Sequence, residues 1–220
     1  MTIISLLLLV SLVPHLTFTA AVESHSASYG IDTMYFFNRD DVLTVVTGAH
    51  DLRKKAINNV YKVKSYIPHP DFNSKTLEND IMLLQLKTKV RLSNNVGLIS
   101  LPKDGEDVKA DTLCSVAGWG DLWSKGPETD RLREAETVIV NNAECERRWE
   151  SDYVASKMIC VYGHGGTCSG DSGGPLVCGD TVVGITSFGE PYLCNSRLFP
   201  DVHTRISAYL PWIHNITGKV

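Results

Sequence analysis

Gly166-Thr-Cys-Ser-Gly-Asp-Ser-Gly-Gly-Pro-Leu-Val-Cys178 is the run whose reading decides the rest of the chain. It places one serine, Ser172, among Gly170, Gly173 and Gly174, directly after an acid, Asp171. A serine hydroxyl attacks a carbonyl only when a base takes its proton. The oxyanion that forms then needs hydrogen-bond donors at the point where its charge develops. Glycines let the backbone turn its N–H groups toward such a substrate. The N–H groups of Gly170 and Ser172 are the natural pair for that task. A glycine-rich surface turn would explain a lone Gly-x-Ser-x-Gly. The longer run, with Cys168 and Cys178 in it, points to nucleophilic catalysis.

The surroundings read as β-structure. Val42-Leu-Thr-Val-Val46, Val60 to Ile67, Ile81 to Leu86 and Leu113 to Gly118 are short and rich in β-branched or apolar residues. So are Thr137 to Val140, Pro175 to Cys178, Val182 to Ser187 and Val202 to Ile206. Gly, Pro and Asp turns separate them, as in an all-β barrel or sandwich. Arg147 to Glu150 reads as one helical turn. Ser207 to Ile216 reads as a C-terminal helix capped by Ser207, with Tyr209, Ile213 and Ile216 on one face.

Composition bounds the function. The chain has 220 residues, 43% of them hydrophobic, enough for one globular unit or two small barrels acting as one. A net charge of −4 offers no overall basic field for nucleic acid. The first thirteen residues are short of the ~20 needed to span a bilayer. With Thr19, Ala20 and Ala21 behind them they read as a secretory leader over residues 1–21, without the usual basic start. No later run is apolar enough to anchor the chain in a membrane. Six cysteines behind such a leader imply disulfides, and spacing alone leaves 15 pairings open. No spacing suits a metal, and nothing calls for a cofactor. Asn215-Ile-Thr217 is the one glycosylation sequon.

Residues 166 to 178 resemble the active-site loop of the chymotrypsin-like serine proteases. Ile67-Pro-His-Pro70, Asn79-Asp-Ile-Met-Leu-Leu84, Val116-Ala-Gly-Trp-Gly120 and Pro211-Trp-Ile213 resemble the granzyme and mast-cell protease branch. The fold this resemblance implies is all-β: two antiparallel six-stranded β-barrels, the first incomplete, and a C-terminal α-helix, over residues 22–220. It implies the pairs Cys114–Cys178, Cys145–Cys160 and Cys168–Cys194. It gives Ser172 the role of nucleophile, Asp80 that of the acid orienting a histidine, and the N–H groups of Gly170 and Ser172 that of the oxyanion hole. Ser187 matches the residue that bonds the acid, and Ser187, Phe188 and Gly189 the strand that pairs with substrate backbone. Gly166 and Asp201 fall in the pocket for the substrate side chain. A glycine floor with an acid opposite favours basic and aromatic residues. The implied partners are protein or peptide substrates and protein protease inhibitors, with no nucleic acid. The implied state is a monomer, secreted or stored in a secretory granule.

Two family features are absent. The histidine base stands in Leu-Thr-Ala-Ala-His-Cys in the family. Val46-Thr-Gly-Ala-His50-Asp is the local match, but His50 precedes Asp80 by only 30 positions, against roughly 45 between histidine and acid in the family's triad. His50 instead resembles a structural histidine of the branch. His69, in Ile67-Pro-His-Pro-Asp-Phe72, resembles a non-catalytic segment of the family, and His25, His164, His203 and His214 match no base position. The Ile-Val-Gly-Gly start, whose ammonium pairs with the acid before the serine, is also missing. Without that cation Asp171 is expected to leave its loop unformed. All the losses fall between Ala21 and Val42, as one block of about thirty family residues. The resulting reading is a serine endopeptidase, weak or dead in this form. The alternatives are a non-catalytic homologue that binds proteins through its cleft, or a product that does not fold stably.

Overall fold

The computed structural model describes residues 12–13, 16–17, 20–23, 44–54, 60–163, 165–190 and 193–218. Among these, β1 (Leu12–Val13) and β2 (Leu16–Thr17) form a small antiparallel pair. Strands β3 (Ala20–Glu23), β4 (Thr44–Thr47), β5 (Val60–Pro68) and β6 (Met82–Leu86) follow in one antiparallel sheet, in that order. Strands β7 (Leu113–Gly118), β8 (Arg133–Ile139), β9 (Met158–Gly163), β10 (Pro175–Cys178), β11 (Thr181–Phe188) and β12 (Asp201–Arg205) close into an antiparallel barrel, ordered β10-β11-β12-β9-β8-β7. The expected six-stranded barrel is present in the second half. The first half, among the described residues, is a four-stranded sheet.

Period-two alternation makes the first sheet. In β5, Tyr61 and Val63 turn inward while Val60, Lys62 and Lys64 turn outward. The inward residues join Val45, Leu84, Leu86, Val90 and Val96 in one core. The barrel fills from all sides with Cys114, Val116, Ile139, Ile159, Val161, Leu176 and Val183. A third cluster joins the two units: Ile81 and Leu83 pack with Val177, Val182, Ile185, Ile206, Tyr209, Leu210 and Ile213. The disulfides are Cys114–Cys178, Cys145–Cys160 and Cys168–Cys194, the pairing the resemblance implies.

Several local expectations are corrected. The single turn expected over Arg147 to Glu150 is the end of a longer helix, α1 (Asn142–Trp149). Asn141 caps it by accepting from the Ala143 N–H at 2.9 Å, and Glu144 pairs with Arg147 and Arg148. Ser207 does not cap the terminal helix. It lies inside a 3₁₀ turn, Ile206–Tyr209, that leads into α2 (Leu210–Thr217), where Pro211 occupies the first turn. The strand Met158–Gly163 had no counterpart in the sequence reading. The expected leader, residues 1–21, overlaps β1, β2 and the first half of β3. Its cleavage after Ala20 or Ala21 would remove that half of β3 from β4.

Candidate active site

Ser172 lies on the loop that enters β10 and is exposed. Hydrogen bonds fix the loop on both sides of it. Asp171 N–H donates to the Cys168 carbonyl at 3.0 Å, and Gly174 N–H to the Asp171 carbonyl at 2.9 Å. Gly173 N–H donates to the Thr186 carbonyl at 2.8 Å, and Thr186 N–H returns to the Gly174 carbonyl at 2.8 Å. The loop is thus fastened to β11. Gly170 takes φ 93°, a region that a side chain would strain. Among the described residues, no group takes the N–H of Gly170 or Ser172.

Asp171 turns inward. Its Oδ1 accepts the Gly120 N–H at 2.8 Å and its Oδ2 the Cys168 N–H at 3.0 Å. Burial raises its pKa, opposed by those two bonds. Without an activating ammonium an unformed loop is expected. Instead the loop is formed around the acid, because two N–H donors replace part of the lost solvation. The carboxylate fits because its walls are glycines: a Cβ at Gly118 would sit 2.0 Å from its Oδ1, and one at Gly120 would sit 2.7 Å from the same oxygen.

Asp80 comes from the other unit, just before β6. Its Oδ2 accepts from the Ser187 hydroxyl at 2.6 Å, and its carbonyl accepts from the Thr204 hydroxyl at 2.8 Å. Its neighbour Asn79 is buried with φ 58°, a left-handed conformation that asparagine tolerates. Asn79 donates to the Asp71 carbonyl at 2.7 Å and accepts from the Tyr209 hydroxyl at 3.2 Å. Burial pushes the Tyr209 phenol up to about 12, so it remains a donor. Burial also raises the Asp80 pKa, partly offset by Ser187.

No described histidine completes this pair. His50 is exposed, and its carbonyl faces the barrel, accepting from Leu132 N–H at 2.8 Å and Trp119 Nε1 at 3.4 Å. No bond joins its imidazole to Asp80 or Ser172. His69 packs its ring on Tyr209 and Trp212. His203 is fully buried with both ring nitrogens unbonded, and burial lowers its pKa to about 3. It is neutral and enclosed. His25 and His164 lie outside the described residues.

The residues expected to form the substrate pocket meet. The Asp201 carboxylate is 6% exposed and sits between two glycines. A Cβ at Gly166 would lie 2.8 Å from its Oδ2, and one at Gly189 would lie 2.9 Å from its Oδ1. Thr167, which the sequence reading did not single out, donates to Oδ2 through its N–H at 2.7 Å and its hydroxyl at 3.0 Å. Burial raises the Asp201 pKa against those bonds. Phe188 packs edge-on against Trp149 at 5.1 Å, and Trp149 against Phe199 at 5.0 Å. Asn215 is exposed on α2. Among the described residues, no group of three or more His, Cys, Asp or Glu side chains could hold a metal, and no helix is long and apolar enough to cross a membrane.

Comparison with known proteins places this arrangement. The trypsin family profile matches residues 37–213. Duodenase-1 of Bos taurus is 41% identical over 177 residues, which cover 79% of this chain and 68% of that protein. Cathepsin G of Homo sapiens is 38% identical over 175 residues, covering 78% of this chain and 66% of that protein. Granzyme B of Rattus norvegicus is 36% identical over 181 residues, covering 80% and 71%. A solved structure described as "Structure of GrC" superposes with a TM-score of 0.73 at 33% identity, covering 80% of this chain and 78% of that one.

Proposed function

We propose, from the premise that the chain belongs to the trypsin family of serine proteases, that its cleft receives protein or peptide substrates and protein protease inhibitors in a site laid out for endopeptidase chemistry, with no positioned base among the described residues. Ser172 is the nucleophile, and the N–H groups of Gly170 and Ser172 are the oxyanion donors. Asp80 is the acid that would orient a histidine. Ser187, Phe188 and Gly189 pair with the substrate backbone, and Gly166 and Asp201 receive the side chain before the scissile bond. Asp171 is the acid that an activating ammonium would meet. His50 serves the structure and not the proton transfer.

The observation that carries this reading is the 2.6 Å bond from Ser187 to Asp80 with no described histidine bonded to the acid. Removing the base from such a triad costs about 10⁶ in kcat, with about 10³ to 10⁴ over water left from the oxyanion hole and binding. The chain in this form is therefore a weak or inactive peptidase that binds through its cleft. Relatives named for mast cells and granzymes, together with three disulfides, support secretion or storage in a granule. The domain is residues 22–220, acting as a monomer behind a leader at 1–21.

Benzamidine, a flat aromatic ring with a cationic amidinium, tests the cleft. We expect saturable binding by calorimetry at pH 7.5, weakened at least about tenfold in Asp201→Ala because the charge partner is gone. Absence of binding, or equal binding by Asp201→Ala, would overturn the pocket assignment.

A further inference from the structure

Among the described histidines only His203 is buried, at 0% exposure. It stands in the middle of β12, paired with Ile159 of β9 on one side and Thr186 of β11 on the other. Residues directly opposite each other on neighbouring strands share a face. Ile159 belongs to the apolar core of the barrel, so the imidazole turns into that core too. Gly184 makes room for it: a Cβ there would sit 3.1 Å from the His203 Cβ and 3.2 Å from the Leu176 Cβ. Among the described residues neither ring nitrogen has a hydrogen-bond partner. The surrounding strands bring no compensating charge. Apart from disulfide cysteines, β7, β10 and β11 contain no ionisable side chain, and β9 adds only Tyr162. On β8, Arg133, Glu134 and Glu136 are exposed. On β12 itself Asp201 and Arg205 share the ring's side of the strand. Asp201 accepts both bonds from Thr167, and Arg205 is committed to Asp107, Asn142 and the Met158 carbonyl. Burial alone holds the His203 pKa down, at about 3.

We propose that His203 is an acid switch in the barrel: a proton on its imidazole parts β11 from β12 and frees the serine loop and Asp201 together. An imidazolium carries two N–H donors and a full charge. Held in place it would have no acceptor, and an unpaired buried charge costs far more than an unpaired buried polar group. The proton therefore enters only as the ring reaches water. The seam that must open is the one that fastens the site. Thr186, opposite His203, accepts from the Gly173 N–H at 2.8 Å and donates to the Gly174 carbonyl at 2.8 Å. Asp201 lies two residues away on β12. The register of β11 and β12 shifts just beyond the Thr186–His203 pair, so the ladder is interrupted on that side. The unfolded chain takes up this proton near pH 6.5 and the folded chain does not. Stability is therefore complete above that pH and falls below it, by about tenfold in the folding constant per pH unit. The readout does not depend on the role of any cleft residue.

The test is urea denaturation of the full disulfide-bonded chain and of His203→Phe, which keeps an aromatic ring and removes the proton site, between about pH 7.5 and pH 5. The ratio of the two folding constants isolates His203. Asp80, Asp171 and Asp201, whose pKa values burial raises, are common to both proteins. That ratio, variant over parent, is expected to rise by about thirtyfold from pH 7.5 to pH 5. A ratio that does not change with pH would overturn the proposal. If His203→Phe does not fold, NMR reads the parent alone. Its His203 imidazole is expected to show no titration in the folded chain down to about pH 5, and titration near pH 6.5 without loss of fold would overturn the proposal. Hydrogen exchange at Gly173 and Thr186 tests the link to the serine loop. Over the same range their protection is expected to fall about thirtyfold in the parent and less than about threefold in His203→Phe. No loss in the parent, or equal loss in both proteins, would overturn that link.

Discussion

The closed barrel and the open sheet solve the same burial problem differently. In the barrel every strand is paired on both sides, and Leu176, at 0% exposure, is enclosed by strands all round. In the four-stranded sheet the outermost strands, β3 and β6, each have one strand neighbour among the described residues. The site follows this contrast. The serine loop, the Asp171 cradle and the Asp201 pocket all rest on barrel strands. Asp80 belongs to the sheet, yet Ser187, Thr204 and Tyr209 hold it and its neighbour from the barrel side. The sheet retains the acid because the barrel holds it. The base, which a complete first barrel would carry, is not among the described residues.

The largest test of this contrast compares one chemical change in both places. Leu176→Ala is expected to cost about 4–5 kcal/mol, because a closed barrel cannot collapse onto the void. Leu84→Ala, in the sheet core, is expected to cost about 2–3 kcal/mol, because an open sheet relaxes. Urea denaturation of both variants reads the difference, and equal costs would show that the sheet is as rigid as the barrel. Gly118→Ala comes next. Its Cβ would meet the Asp171 carboxylate, so a loss of about 1–3 kcal/mol is expected. A substitution without effect on the denaturation midpoint would show that the acid does not lie against Gly118.

Asp80 gives a smaller effect with a definite sign. Its folded pKa is raised, so the folded state holds the proton more tightly than the unfolded chain does. That stabilisation is complete below the unfolded value of about 3.9 and is lost as pH rises through the folded value. Asp80→Asn, which keeps an oxygen for the Ser187 hydroxyl, is therefore expected to melt higher than the parent at pH 7. The gap is expected to close below about pH 4. A variant that melts lower at pH 7 would show that a partner charge offsets the burial. The smallest effect is at the junction loop. Arg53 pairs with Asp51 and Asp130 but is 58% exposed. Arg53→Ala is expected to lower the melting temperature only slightly, and less at high salt. A larger loss would make that loop a main tie between sheet and barrel.

Much of this was legible in the sequence because it depends on short spacing. The serine loop, the Asn79-Asp80 step and most strands are local patterns. Met158-Ile-Cys-Val-Tyr-Gly163 was missed although it is a continuous apolar run bounded by a glycine, the mark of a strand buried on both faces. The start of α1 also left a signal, in Asn141 with Glu144 three residues on. The second partners left none. Thr167 reaches Asp201 across 34 positions, Thr204 reaches Asp80 across 124, and Tyr209 reaches Asn79 across 130. The packing of the sheet against the barrel brings Thr204 and Tyr209 to Asp80 and Asn79, and the fold of the barrel brings Thr167 to Asp201. Ser207 looked like a cap because its residue type suits one, but the chain is already turning at Ile206, and Tyr209 takes the boundary.

The most direct measurement is hydrolysis of fluorogenic peptides with Arg, Lys or Phe before the scissile bond, by the purified disulfide-bonded chain and by Ser172→Ala. The proposed site, with no base positioned among the described residues, should give rates that do not differ between the two proteins. Turnover that depends on Ser172 would contradict this, and would mean that a histidine reaches Asp80 after all.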